Sequence, residues 1–211
     1  MKPYLTPIVF HFALLFALLT TAAYADTAGA NDEAIKLVDD TTVAIKAAIK
    51  KERDALSKDR NRLMELVDKI VLPHFDFTKM SNWALGKYWN EASKAQQDKF
   101  ASEFRKLLVR TYAVALLDNV DRKIAIVSAE LNKKSDKKVL VKTEVEQDGG
   151  FPIPIDYKMH RVGNEWKVYD VVIDGISLVS NYRTSFANEI KKSGIESVIA
   201  SLKQRNDSAT N

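Results

Sequence analysis

The chain has no cysteine, and only seven glycines, five prolines and three histidines in 211 residues. The absence of cysteine excludes disulfides, thiol nucleophiles, CxxC redox chemistry and Cys-ligated zinc together. So little glycine and proline excludes collagen-like and low-complexity classes. An excess of one charge is also missing. Lys and Arg number 32 against 28 Asp and Glu, for a net charge of +4. That excess is too small to argue for nucleic acid, and no RNP, helix-turn-helix or arginine-rich motif occurs. The longest apolar run, Ile8 to Leu19, is short for a membrane span, and no run of span length follows it. What is present is an ordinary globular composition, 46% hydrophobic and 28% charged, at a length that suits one domain.

Residues 1–25 read as a secretory leader. Lys2 supplies the positive start, Ile8 to Leu19 the apolar core, and Ala23-Tyr24-Ala25 the small-x-small cleavage pattern before Asp26. The expected organisation is thus a leader over 1–25, a single domain over 26–205 and a disordered polar tail over 206–211. From about Asn31 to Asp118 the pattern is helical, from about Lys123 to Asp174 it alternates, and from Ser177 to Arg205 it is helical again. Ile35, Val38, Thr42, Ile45 and Ile49 form the first stripe, and Pro73 ends a second. Ser93 and Gln96 have the spacing of a capping box. They open the most amphipathic helix of the chain, with Phe100, Phe104, Leu107, Leu108, Thr111 and Tyr112 on one face.

Four strands are expected, at Lys123–Ala129, Lys138–Glu146, Pro152–Arg161 and Glu165–Ile173. Asp148-Gly149-Gly150 and Gly163-Asn164 mark turns between the last three. Two closing helices flank Gly194. The fold class is α+β: an antiparallel sheet of about four strands packed against a helical layer.

Catalytic signals are sparse. His11 lies in the leader. His74 and His160 have no Ser or Cys partner in a nucleophile pattern, and no GxSxG, P-loop, GxGxxG or HExxH occurs. His74-x-Asp76 offers two ligands, which is not a metal site. Asp170 and Asp174 suit helix capping and a turn better than acid–base work. No enzyme activity and no metal or other cofactor is expected. The aromatic residues say more: Phe75, Phe77, Trp83, Tyr88, Trp89, Phe100, Phe104 and Tyr112 crowd into fewer than forty positions. The pattern alone favours an ordinary packed core, with an interior that stays partly open as the alternative; periodicity does not separate the two.

Two stretches, Val71 to Leu116 and Glu165 to Leu202, carry a family resemblance. Their elements are Leu85-Gly86-x-x-Trp89, Gln97-x-x-Phe100-x-x-x-Phe104, Trp166-x-Val168-Tyr169-Asp170, Gly175-x-Ser177-Leu178, Asn181-Tyr182-Arg183 and Phe186. In order and spacing they resemble the MlaC, or toluene-tolerance, family of periplasmic phospholipid-binding proteins of the maintenance-of-lipid-asymmetry pathway. The resemblance implies an apolar pocket between helices and sheet for the acyl chains of a glycerophospholipid, which is cargo rather than cofactor. It implies a periplasmic shuttle between an inner-membrane ABC transporter with a substrate-binding ring and an outer-membrane lipoprotein–porin complex. The expected lining is drawn from the apolar stripes: Phe75, Phe77, Trp83, Tyr88, Phe104, Leu108, Tyr112, Ile155, Tyr157, Val171, Ile173, Leu178, Tyr182 and Phe186. Arg183 is expected to pair with a structural carboxylate such as Asp170 ahead of a phosphate. The competing reading is an envelope protein-interaction module with a dry core.

Overall fold

A computed structural model describes residues 21–208, with side chains from residue 29 onward. Residues 1–20 of the expected leader lie outside the described residues. The first helix, α1 (Thr21–Lys58), buries Ala30, Ala34, Val38, Ile45, Ile49 and Leu56 along one side, and its backbone breaks at Glu52 (φ −123°, ψ 18°). Asp59 caps α2 (Arg60–Ile70) by accepting from the Arg62 backbone N–H at 3.0 Å. Pro73 sits in the short 3₁₀ turn Leu72–His74 that follows. Asp76 then caps α3 (Phe77–Leu85) by accepting from the Lys79 N–H at 2.8 Å. After the single turn of α4 (Tyr88–Glu91), α5 (Lys94–Asp118) opens on the expected capping box. The Ser93 N–H donates to Gln96 Oε1 at 2.8 Å and the Gln96 N–H to Ser93 Oγ at 3.3 Å.

The sheet is an antiparallel meander in the order β1 (Ile124–Asn132), β2 (Ser135–Val145), β3 (Ile153–Val162), β4 (Glu165–Ile173), β5 (Ile176–Ser177). Five strands replace the expected four. The fifth is two residues long, folded back on β4 through Asp174 (φ 49°) and Gly175 (φ 78°), and too short to show alternation. Cross-strand partners point to the same face. Val141 opposes Ala129 and Tyr157, Thr143 opposes Ile126 and Ile155, and Val171 and Ile173 oppose Tyr157 and Ile155. These residues form one apolar inner face. Lys142, Asp156, Lys158 and His160 fall on the other. A bulge at Lys158/Met159 places Tyr169 as the extra residue of β4.

The last helix, α6 (Leu178–Ser208), is two arms joined at Gly194 (φ 78°, ψ 168°), a backbone conformation that only glycine adopts without strain. Residues 206–208, expected in the tail, belong to the last helix. Helix α6 continues to Ser208, and Asn206 is buried, its Nδ2 donating to the Glu103 carbonyl at 3.0 Å and to Glu103 Oε2 at 2.7 Å. Residues 209–211 lie outside the described residues.

Three apolar clusters organise the interior. One joins α3, α5 and α6; a second lies between the sheet's inner face, the early turns of α1 and the start of α6; a third joins later turns of α1 to α2 and α5. Phe75 and Tyr112 pack against both the first and the second, so they mark the seam between helices and sheet.

Candidate functional site

The seam is built from half-buried side chains facing one another. Ile155, Tyr157 and Ile173 rise from the sheet. Tyr112 on α5, Tyr182 on α6 and Phe75 before α3 approach from the helical side. Behind them the packing is closed. Phe104 and Phe186 meet edge to face, with ring centroids 5.7 Å apart, and Tyr182 stacks on Phe186 at 5.6 Å. Phe104 is 0% and Phe186 3% exposed. Leu108, Val171 and Leu178 are also buried.

Tyr157 is half-buried on the sheet side of the seam. Burial pushes its phenol above the usual tyrosine range, and a hydrogen bond with Thr143 works against that rise. Thr143 itself is 1% exposed and donates its hydroxyl to the Ile155 carbonyl at 2.7 Å. The polar atoms of this wall therefore satisfy one another, and the wall presents hydrocarbon and aromatic surface. Tyr112, opposite, is likewise pushed up by burial and by the neighbouring Tyr182.

The fourteen expected lining residues thus separate by position. Ile155, Tyr157, Ile173, Tyr112, Tyr182 and Phe75 meet at the seam. Phe104, Phe186, Leu108, Val171 and Leu178 back it. Tyr88 packs half-buried against the helical cluster, with Lys87 Nζ 5.0 Å from its ring centre. Phe77 divides between the helical cluster and the third cluster, with the Arg105 guanidinium 5.7 Å from its ring centre. Trp83 does not join them. It is 41% exposed and packs on Tyr169, 5.2 Å away between centroids, on the sheet's outer side. Sequence reasoning missed Ile126, Ala129, Val141 and Thr143. The alternation of Val139, Val141, Thr143 and Val145 along β2 was the signal that held the last two.

Arg183 also departs from expectation. Its guanidinium lies over Gly86, with Nε 2.8 Å from where a β-carbon would stand. Asp170, 1% exposed, instead accepts from Ser177 Oγ at 2.7 Å, Lys158 Nζ at 2.9 Å and the Val179 N–H at 3.2 Å, as a cap on the start of α6.

On the outer face His160 lies between Asp76 Oδ2, 2.9 Å from Nε2, and Lys79 Nζ, 3.1 Å from Nδ1. An ammonium only donates, so Nδ1 accepts and Nε2–H donates to Asp76. Burial, then Lys79, pull the His160 pKa down, with Asp76 opposing. Both ring nitrogens are thus engaged, tying β3 to the start of α3. Among the described residues no group of three or more metal-ligating side chains occurs. A separate surface groove of about 470 Å³ runs between α2, α5 and the end of α6. Its lining mixes charged groups such as Asp68, Lys69 and Arg110 with Met64 and Val109.

Comparison with known proteins agrees with this architecture. The family model described as MlaC protein matches residues 39–204. The intermembrane phospholipid transport system binding protein MlaC of Haemophilus influenzae is 28% identical over 197 residues, covering 92% of this chain and 91% of that protein. The toluene tolerance protein ttg2D of Pseudomonas putida is 26% identical over 180 residues, covering 85% and 79% respectively. A phospholipid-binding protein from Ralstonia solanacearum, solved in complex with a phospholipid, superposes with a TM-score of 0.74 at 30% identity, covering 83% of this chain and 97% of that one. With the family model spanning the helices, the seam and the whole sheet, the chain belongs to the MlaC family.

Proposed function

We propose that this chain is a phospholipid carrier, which holds acyl chains in the space between its sheet and helices and leaves the headgroup at the surface. The sheet's inner face carries the reading: Ile155, Tyr157 and Ile173 stay half-buried where it meets the helices. The phospholipid in the Ralstonia relative supports the choice of cargo. The energetics give the reason for an enclosed site. Exposing hydrocarbon to water costs about 0.8 kcal/mol per CH₂, so a chain of ~16 carbons costs on the order of 12 kcal/mol. A free phospholipid does not cross an aqueous gap at a useful rate, and a surface patch large enough to shield it would itself aggregate.

On this reading residues 1–25 direct the chain to the periplasm and are removed. The carrier moves glycerophospholipid between an inner-membrane ABC transporter with a substrate-binding ring and an outer-membrane lipoprotein–porin complex. It works by enclosure and release, without catalysis.

The test is native mass spectrometry of protein purified from a bacterial envelope, with organic extraction of what it carries. The expected result is a stoichiometric phospholipid, reduced in folded Tyr157→Glu and Leu108→Glu variants. A protein that arrives empty and takes up no lipid from vesicles overturns the reading in favour of a dry-core interaction module.

A further inference from the structure

The apolar inner face continues past the point where the core ends. Along β3 Met159 is fully buried, Tyr157, Ile155 and Ile153 are half-buried, and Phe151, in phase with them beyond the end of the ladder, is 94% exposed. The neighbouring strands repeat the gradient. Val171 is buried, Ile173 half-buried, and Ile176, the cross-strand partner of Ile173, is 61% exposed. The two strands run to the same end of the sheet, where the Asp174 N–H donates to the Pro154 carbonyl at 2.9 Å. The opposite end of the same face is sealed under α1, where Val139 and Val168 are at most 4% exposed. Basic side chains beside the exposed end are already held by acids, Arg122 by Asp148 at 3.5 Å and Lys123 by Glu146 at 3.2 Å. Single exposed apolar residues are common on protein surfaces. Val43 and Val127 are such residues here, and neither extends a graded strip leading inward. Phe151 and Ile176 do.

We propose that this end of the sheet is the portal of the hollow, and that Phe151 and Ile176 are the surface over which an acyl chain enters and leaves. The inference rests on the carrier reading. A rim residue that touches the chain only in transit lowers the barrier without changing either end state. Its loss therefore slows loading and unloading by one common factor and leaves equilibrium occupancy unchanged.

The experiment follows an acyl-labelled, self-quenched phospholipid as it passes from phosphatidylethanolamine–phosphatidylglycerol vesicles to the full chain and back. Phe151→Asp and Ile176→Asp are each expected to slow both directions roughly ten-fold, the loss of part of one apolar side chain's contact. Phe151→Leu keeps the wild-type rates, and Val43→Asp on α1 changes neither. Wild-type rates in both acidic variants overturn the portal, as does lost occupancy in place of slowed exchange. A wild-type chain that takes up no lipid at all is a separate outcome, and it removes the carrier reading together with the portal.

Discussion

At the residue scale, position in the sheet decides what each aromatic or titratable group does. Tyr157 and Trp83 both looked like lining from their stripes. Tyr157 lies on the sheet's inner face, and Trp83 stacks on Tyr169 on the other side. The sequence shows which residues share a face. It does not show which face an adjacent helix will cover, because that depends on how α3 wraps the β4 edge. Gly86 is a second case. Its motif Leu85-Gly86-x-x-Trp89 was visible, but its physical basis was not. The backbone sits at φ 56°, and the Arg183 guanidinium occupies the place of a side chain. His160 gives a prediction of sign. Lys79 and Lys138 oppose its protonation, Asp76 favours it, and burial tips the balance downward. The unfolded chain therefore binds the proton more readily than the folded one, and stability falls as pH drops below about 6.5. His74, pulled down by burial and Lys167, acts in the same direction. The urea midpoint is expected to fall between about pH 7.5 and about 5.5, and His160→Gln should flatten that fall. An unchanged slope in the variant would show that His160 does not contribute.

At the element scale, signals confined to a few neighbouring residues were the most legible. The capping box of α5, the break of the closing helices at Gly194 and the turns of the meander all lie within short windows, and all appear in the structure. Features that depend on distant partners were not legible. Strand β1 runs on to Asn132 because Leu131 pairs with Val139, and α6 runs on to Ser208 because Asn206 finds Glu103. The start of α6 is the element most dependent on one side chain. Asp170→Ala removes three hydrogen bonds from a buried site and is expected to cost about 3 kcal/mol, after discounting for the partly exposed Lys158. Lys158→Ala leaves the Ser177 and Val179 bonds in place and should cost under about 1 kcal/mol. Urea unfolding of the two variants checks the ratio. Equal costs would make the ion pair, rather than the cap, the source of stability.

At the scale of the whole molecule, two kinds of interior coexist. The Phe100–Phe104–Phe186 knot is solid, while the sheet's inner face stays partly uncovered. Such a division lets a small domain leave part of one face uncovered without losing its fold. On the carrier reading, cargo also contributes stability by mass action. Lipid held at about 100 times its dissociation constant adds about 2.7 kcal/mol, or roughly 5–10 °C in Tm at this size. Stripping lipid with detergent and repeating thermal unfolding should lower Tm by that order, and restoring lipid should bring it back. A Tm indifferent to lipid content would mean that the chains do not occupy the folded interior.

The meander has a consequence for assembly. Every strand pairs with its neighbour in the chain, so the sheet zips up from local hairpins, which form quickly. Helix α1 is made first, yet its Glu33 meets Arg161 128 positions later. That closure pays the largest loop entropy and is expected to come late. The floor is thus laid before its roof arrives, and the newborn protein passes through a stage with the greasy side of its sheet open to its surroundings.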